Sequence, residues 1–132
     1  MANTDNIVSY VAAEAITEFA LVSVDVNSKI TITDASTENN CQGIAQRACS
    51  AGDSVEVLLL GKSRAIAGGN LAPATMNLLM ATTGGKLVAY DGAADKYAVA
   101  RMIPNINQTT AADGDQIKVI FTGPTNVTSV TP

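Results

Sequence analysis

The sequence predicts a mainly β protein: a small β-barrel or β-clip-like (tulip) domain built from two similar halves, with an extended N-terminal arm. Three observations carry this. Apolar residues alternate at period two along most of the chain, and glycine-bearing turn signals separate the alternating runs. One phrase is also written twice, AGDSVEVLLLG at 51–61 and DGDQIKVIFTG at 113–123.

The 132 residues suit a single domain, which at this size buries roughly two-thirds of the surface of its unfolded chain. Hydrophobic residues make up 47% of the chain but aromatics only 4%, with no Trp, so the core is expected to be small and aliphatic.

In chain order, Leu21, Val22, Val24 and Val26 alternate into a turn at Asn27-Ser28, and Ile30 and Ile32 return from it as a hairpin. Short strands are expected at Gly43–Gln46, Val55–Leu60 and Arg64–Ala67, the last closed by Gly68-Gly69. Leu78–Ala81 and Lys86–Tyr90 flank Gly84-Gly85, a pair that takes positive φ without steric cost, as a two-residue hairpin requires. Tyr97–Met102 and Gln116–Thr122 complete the set. A helix over Val8–Ala20 competes, because Val8, Val11, Ala12, Ala15, Ile16 and Phe19 also fall at helical spacing.

The doubled phrase belongs to a longer repeat, about 15–61 and 70–123. Ile16 matches Leu71 and Leu21 matches Met76 at a separation of 55; Lys29-Ile30 matches Lys86-Leu87 at 57; Gly43-Ile44-Ala45 matches Ala98-Val99-Ala100 at 55. Gly52 and Gly114, like Val57 and Val119, then stand 62 apart, which places seven extra residues in PNINQTTAA, 104–112. Two halves about an approximate two-fold axis are expected, each too small to bury its own apolar face. Residues 1–14 precede the repeat as an arm, and 15–132 form the β domain. Each Gly-Asp reads as a turn, Gly taking the left-handed conformation and Asp accepting from backbone N–H groups one or two residues on.

The sequence offers no catalytic constellation. It has no His, no phosphate-binding glycine loop, no nucleophile elbow and no Cys/His cluster, so neither an enzyme nor a cofactor or metal site is expected. Cys41 and Cys49 read as free thiols in preference to a small bridged loop. The net charge of −4 comes from 12 acidic and 8 basic residues with no Lys/Arg run, against nucleic-acid or anionic-membrane partners. The apolar runs fall far short of the roughly 20 residues of a membrane helix, and the polar start MANTDNIVSY lacks a secretion signal.

Gly43-Ile44-Ala45-Gln46, AGDSVEVLLLG, AIAGGNL (65–71), TTGGKLVAY (82–90) and DGDQIKVIF (113–121) together resemble the decoration, or cement, proteins of tailed-phage capsids. The resemblance spans roughly Ala15 to Phe121 and departs where a Gly often precedes the first strand, since Thr17 and Glu18 stand there. It implies a structural virion protein, made in the bacterial cytoplasm, that settles as a homotrimer on the outside of the phage head. There it would bind the major capsid protein and stabilise neighbouring capsomers, without cofactor or enzymatic activity. A surface adhesion or carbohydrate-binding β-module is the alternative, though five aromatics are few for gripping sugars. The arm, Met1, Ala2, Asn3, Thr4, Asp5, Asn6, Ile7, Val8 and Ser9, is the expected capsid-binding segment, a polar stretch running into two aliphatics that can pair with a partner strand.

Overall fold

The structure, a computed structural model, describes residues 6–35, 40–71, 78–90, 96–103 and 110–125. Its strands are β1 (Ile7–Val11), β2 (Leu21–Val24), β3 (Ile30–Ile32), β4 (Cys41–Ala45), β5 (Ser54–Leu58), β6 (Gly61–Ile66), β7 (Leu78–Thr82), β8 (Lys86–Ala89), β9 (Ala98–Ile103) and β10 (Gln116–Thr125). They form two five-stranded antiparallel sheets, ordered β1-β5-β4-β2-β3 and β6-β10-β9-β7-β8, so the mainly β expectation holds. Each sheet curls until its edges touch through one parallel bridge, Ala12 to Ile30 and Ala67 to Leu87. Neither closes into a barrel.

The competing helix does not form, because backbone groups of this segment bond to other strands. Ala12 N donates to Asp53 O, Ala13 N to Ile30 O, Ile16 N to Cys49 O and Phe19 N to Ala45 O, all within 2.8–2.9 Å. Ala12, Ile16 and Ala20 are buried by the first sheet. Their spacing of four imitates a helix face.

The two sheets repeat one design down to single hydrogen bonds. Gly52 N donates to Ala12 O at 2.8 Å, and Gly114 N to Ala67 O at 2.8 Å. Asp53 Oδ2 accepts from Ser50 N at 3.1 Å, and Asp115 Oδ2 from Ala112 N at 2.9 Å. Gly52 and Gly114 lie at φ 89° and 91°, so each copy of the phrase holds a left-handed glycine, as the sequence implied, within a turn closed by the Asp. The Asp accepts from the N–H three residues before it and not from those that follow, because the turn Ser50–Asp53, like Ala112–Asp115, folds back on the Asp.

The repeat begins earlier than Ala15, and its register differs from the sequence matching. β1 answers β6, the matching edge strand of the other sheet, at a separation of 55. Strand pairing aligns Leu21 with Leu78 and Ile44 with Arg101, both 57 apart. The sequence had aligned these strands two residues away. A slip of two keeps every side chain on its original face, so alternation alone cannot detect it. Of the seven extra residues, two therefore enter between Leu71 and Leu78 and five between Met102 and Ala111, a stretch whose residues 104–109 lie outside those described.

The halves do not meet about a two-fold axis. Across the first sheet, paired strands align Leu21, Ile44, Leu58 and Ile7 in one row; the counterpart row in the second sheet is Leu78, Arg101, Ile120 and Lys62. Leu21, Ile44 and Leu58 are buried in a cluster shared with Leu79, Leu87, Val119 and Phe121 of the second sheet. In the other row Leu78, Arg101 and Lys62 are exposed. A two-fold contact buries the same patch on both partners, so these halves pack head to tail.

The β7–β8 turn, Thr83–Gly85, anchors the contact; it is a three-residue loop and not the two-residue one expected, because Thr82 pairs with Lys86 and Thr83 joins the two left-handed glycines in the turn. Gly85 N donates to Thr33 O at 2.9 Å and Gly84 N to Asp34 Oδ1 at 3.1 Å. Gly85 has φ +73°, and a Cβ there would stand 2.9 Å from Ala20 Cβ and 3.0 Å from the Leu21 backbone. Gly85→Ala is therefore expected to cost about 1–3 kcal/mol through strain and overpacking. It should read as a lower urea midpoint, and an unchanged midpoint would show that the turn is not seated on the first half.

Candidate interaction surfaces

Of the expected capsid-binding residues, Met1, Ala2, Asn3, Thr4 and Asp5 lie outside the described residues, while Asn6, Ile7, Val8 and Ser9 are placed. They do not stand apart from the domain. Ile7 pairs with Leu58, Val8 with Val57 and Ser9 with Glu56, and Asn6 O accepts from Leu59 N at 2.7 Å. Further along, Tyr10 packs on the first-sheet cluster and its hydroxyl accepts from Gln42 Nε2 at 2.9 Å. β1 is nevertheless an edge strand with Ile7, Val8 and Val11 each about 40% exposed, a rim with apolar side chains and an open backbone side suited to strand addition.

A second surface had no signature in the linear sequence. β6, β10 and β9 lie side by side, and their register sets Arg64 opposite Lys118 and Ile120 opposite both Lys62 and Arg101. Residues two apart on a strand share a face, so Lys62, Arg64, Arg101 and Lys118 converge on one side of the second sheet with Leu78, Ile103 and Ile120 among them. These four are half of the chain's 8 basic residues, and no acidic residue occurs in the three strands. Arg64 is steadied by Gln116 Oε1 at 3.1 Å, beside a shallow hollow bounded by Arg64, Gln116 and Lys118. The cations come from three strands far apart in sequence, and a search for a Lys/Arg run cannot see them.

The acidic residues are distributed differently. Residues 1–60 carry eight acidic and two basic side chains, a net of −6; residues 61–132 carry four acidic and six basic, a net of +2. On the first sheet Glu56 occupies the place that Lys118 holds on the second. Its hydrogen bond from Arg47 Nε at 2.8 Å holds its carboxyl below the usual carboxylate value, assisted by a backbone hydrogen bond and opposed by desolvation.

Asp53 and Asp115 are engaged in their turns, and Cys41, buried, and Cys49, half-buried, are not joined in a disulfide. Among the described residues no three His, Cys, Asp or Glu side chains gather as metal ligands, and no helix is long and apolar enough to cross a membrane.

Among solved structures, the chain is similar to the N base of the head fibre protein gp8.5 of bacteriophage phi29, with a TM-score of 0.66 at 14% identity. The likeness covers 90% of this chain and 96% of that one. At such identity it is a likeness of fold. No protein-family model matches the chain, and no curated protein matches it.

Proposed function

We propose that this is a structural protein of a phage virion that binds the outside of an icosahedral head and stabilises contacts between neighbouring capsomers. The observation that carries the reading is the shared fold, over nearly all of both chains, with the base domain of a phage head fibre. The cement-protein phrases of the sequence fall on the turns and strands that build this fold. A protein of this kind holds its partner through area and shape, and the reading assigns it no catalysis and no cofactor. Its partners would be the major capsid protein and further copies of itself, as a homotrimer on the shell. Residues 1–9 remain the proposed capsid contact, with Ile7 and Val8 of the edge strand as its apolar part.

Co-sedimentation with purified shells of the phage that encodes the protein tests the reading. Saturable binding, together with shells that resist heat better when decorated, is the expected result. A protein that stays in the supernatant at every concentration would overturn it.

A further inference from the structure

The way the two halves pack inside one chain leaves one end of the arrangement unfinished. In the first half, Leu21 lies beneath the β7–β8 turn of the second half, whose Gly85 stands against Ala20 and the Leu21 backbone. In the second half the equivalent row begins at Leu78, which is 40% exposed where Leu21 is fully buried. Equally, the β2–β3 turn is the counterpart of the β7–β8 turn, and among the described residues its tip is not seated on the other half: Val26 is 99% exposed. Both turns put left-handed residues at matching places, Ser28 at φ 63° and Gly85 at φ 73°. The backbone at the two receiving sites also matches, Thr33 N donating to Leu21 O at 2.9 Å and Tyr90 N to Leu78 O at 3.0 Å.

From this we infer that the basic face of the second sheet is a docking surface for a second copy of this chain. It would receive the β2–β3 hairpin and acidic first half of its neighbour, continuing between molecules the head-to-tail order of the halves within one. Charge supports the choice of occupant. The face presents Lys62, Arg64, Arg101 and Lys118, and the half that approaches it carries a net charge of −6, with Glu14 beside β3 through its bond from Ile32 N, while in the hairpin turn itself Lys29 offsets Asp25. Opposite patches steer the encounter and fix its direction, while like halves repel. The apolar part of the contact is Val26 against Leu78 and Ile120. The packing is looser than inside the chain, because Ser28 carries a Cβ where Gly85 has none. A heterologous contact of this kind closes into a ring or continues as a filament.

The inference concerns self-association and stands independently of the capsid reading. Two single-cysteine variants, Val26→Cys and Leu78→Cys, each in a Cys41→Ser, Cys49→Ser background that removes both native thiols, are oxidised mildly alone and as an equal mixture, one carrying a mass tag. The mixture is expected to give a mixed disulfide at least about tenfold above the dimer formed by either variant alone. That yield should fall about tenfold with added salt or with Arg101→Glu plus Lys118→Glu, while the melting temperature of those exposed-site variants stays close to that of the parent. A mixture that cross-links no more than its components overturns the inference, as does a yield indifferent to both salt and charge reversal. Shell co-sedimentation with the same proteins separates the two readings, since cross-linking with no shell binding would remove the virion role and leave the head-to-tail contact.

Discussion

Replacing Phe121 with alanine is expected to destabilise the protein by about 3–5 kcal/mol, a large part of the roughly 5–15 kcal/mol that holds a domain together. Phe121 is one of only two phenylalanines and lies within the cluster that unites residues of both sheets. On β10 it faces Gly61 of β6 and Ala100 of β9, both too small to refill the space its ring would vacate. The surrounding Leu, Val and Ala side chains are held by strands paired on both sides, so the cavity collapses little. Ile120, its neighbour on the same strand, points to the opposite, partly exposed face, and Ile120→Ala should cost under about 1 kcal/mol. Urea unfolding followed by circular dichroism measures both. Equal losses at the two positions would show that the joint cluster does not hold the halves together.

What the sequence revealed and what it hid follow from how each feature is encoded. Turns are encoded locally, so Gly52-Asp53, Gly84-Gly85 and Gly114-Asp115 were legible at once. Period-two alternation and short apolar runs between turn signals locate nine of the ten strands among the described residues, although alternation carries no information about slips of two residues, so the sequence alone pairs Leu21 with Met76 and not with Leu78. β1 was missed because Ile7, Val8 and Val11 do not alternate cleanly and the apolar residues beyond them fall at helical spacing. The basic face was invisible for a different reason: Lys62 and Arg64, Arg101, and Lys118 are brought together only by long-range strand pairing. An acidic chain with a pI near 4.5 can still build a cationic surface if its topology sorts the charges.

The placement of β1 changes what truncation should do. Were the first nine residues a free arm, their deletion would leave the melting transition unchanged and affect only binding to a shell. In the structure, deletion of residues 1–9 removes Ile7, Val8 and Ser9 from an edge strand and leaves Glu56, Val57 and Leu58 of β5 without their partners on that side. A few backbone hydrogen bonds at roughly 0.5–1.5 kcal/mol each, together with partial burial of two aliphatic side chains, amount to a loss of about 2–4 kcal/mol. For a domain of this size that is a fall in melting temperature on the order of 5–15 °C. Deletion of residues 1–5 alone spares the strand and should leave the melting temperature within about a degree of the parent, because none of those residues belongs to β1. The pair of truncations therefore separates two roles that a single deletion confounds. If the 1–5 deletion keeps its stability but loses occupancy on capsid shells by about tenfold or more, the segment ahead of β1 is the capsid contact. If it binds shells as the parent does and only the 1–9 deletion fails, with a lowered melting temperature, β1 acts through the integrity of the first sheet. A 1–9 deletion that melts at the parent temperature would contradict the pairing of β1 with β5.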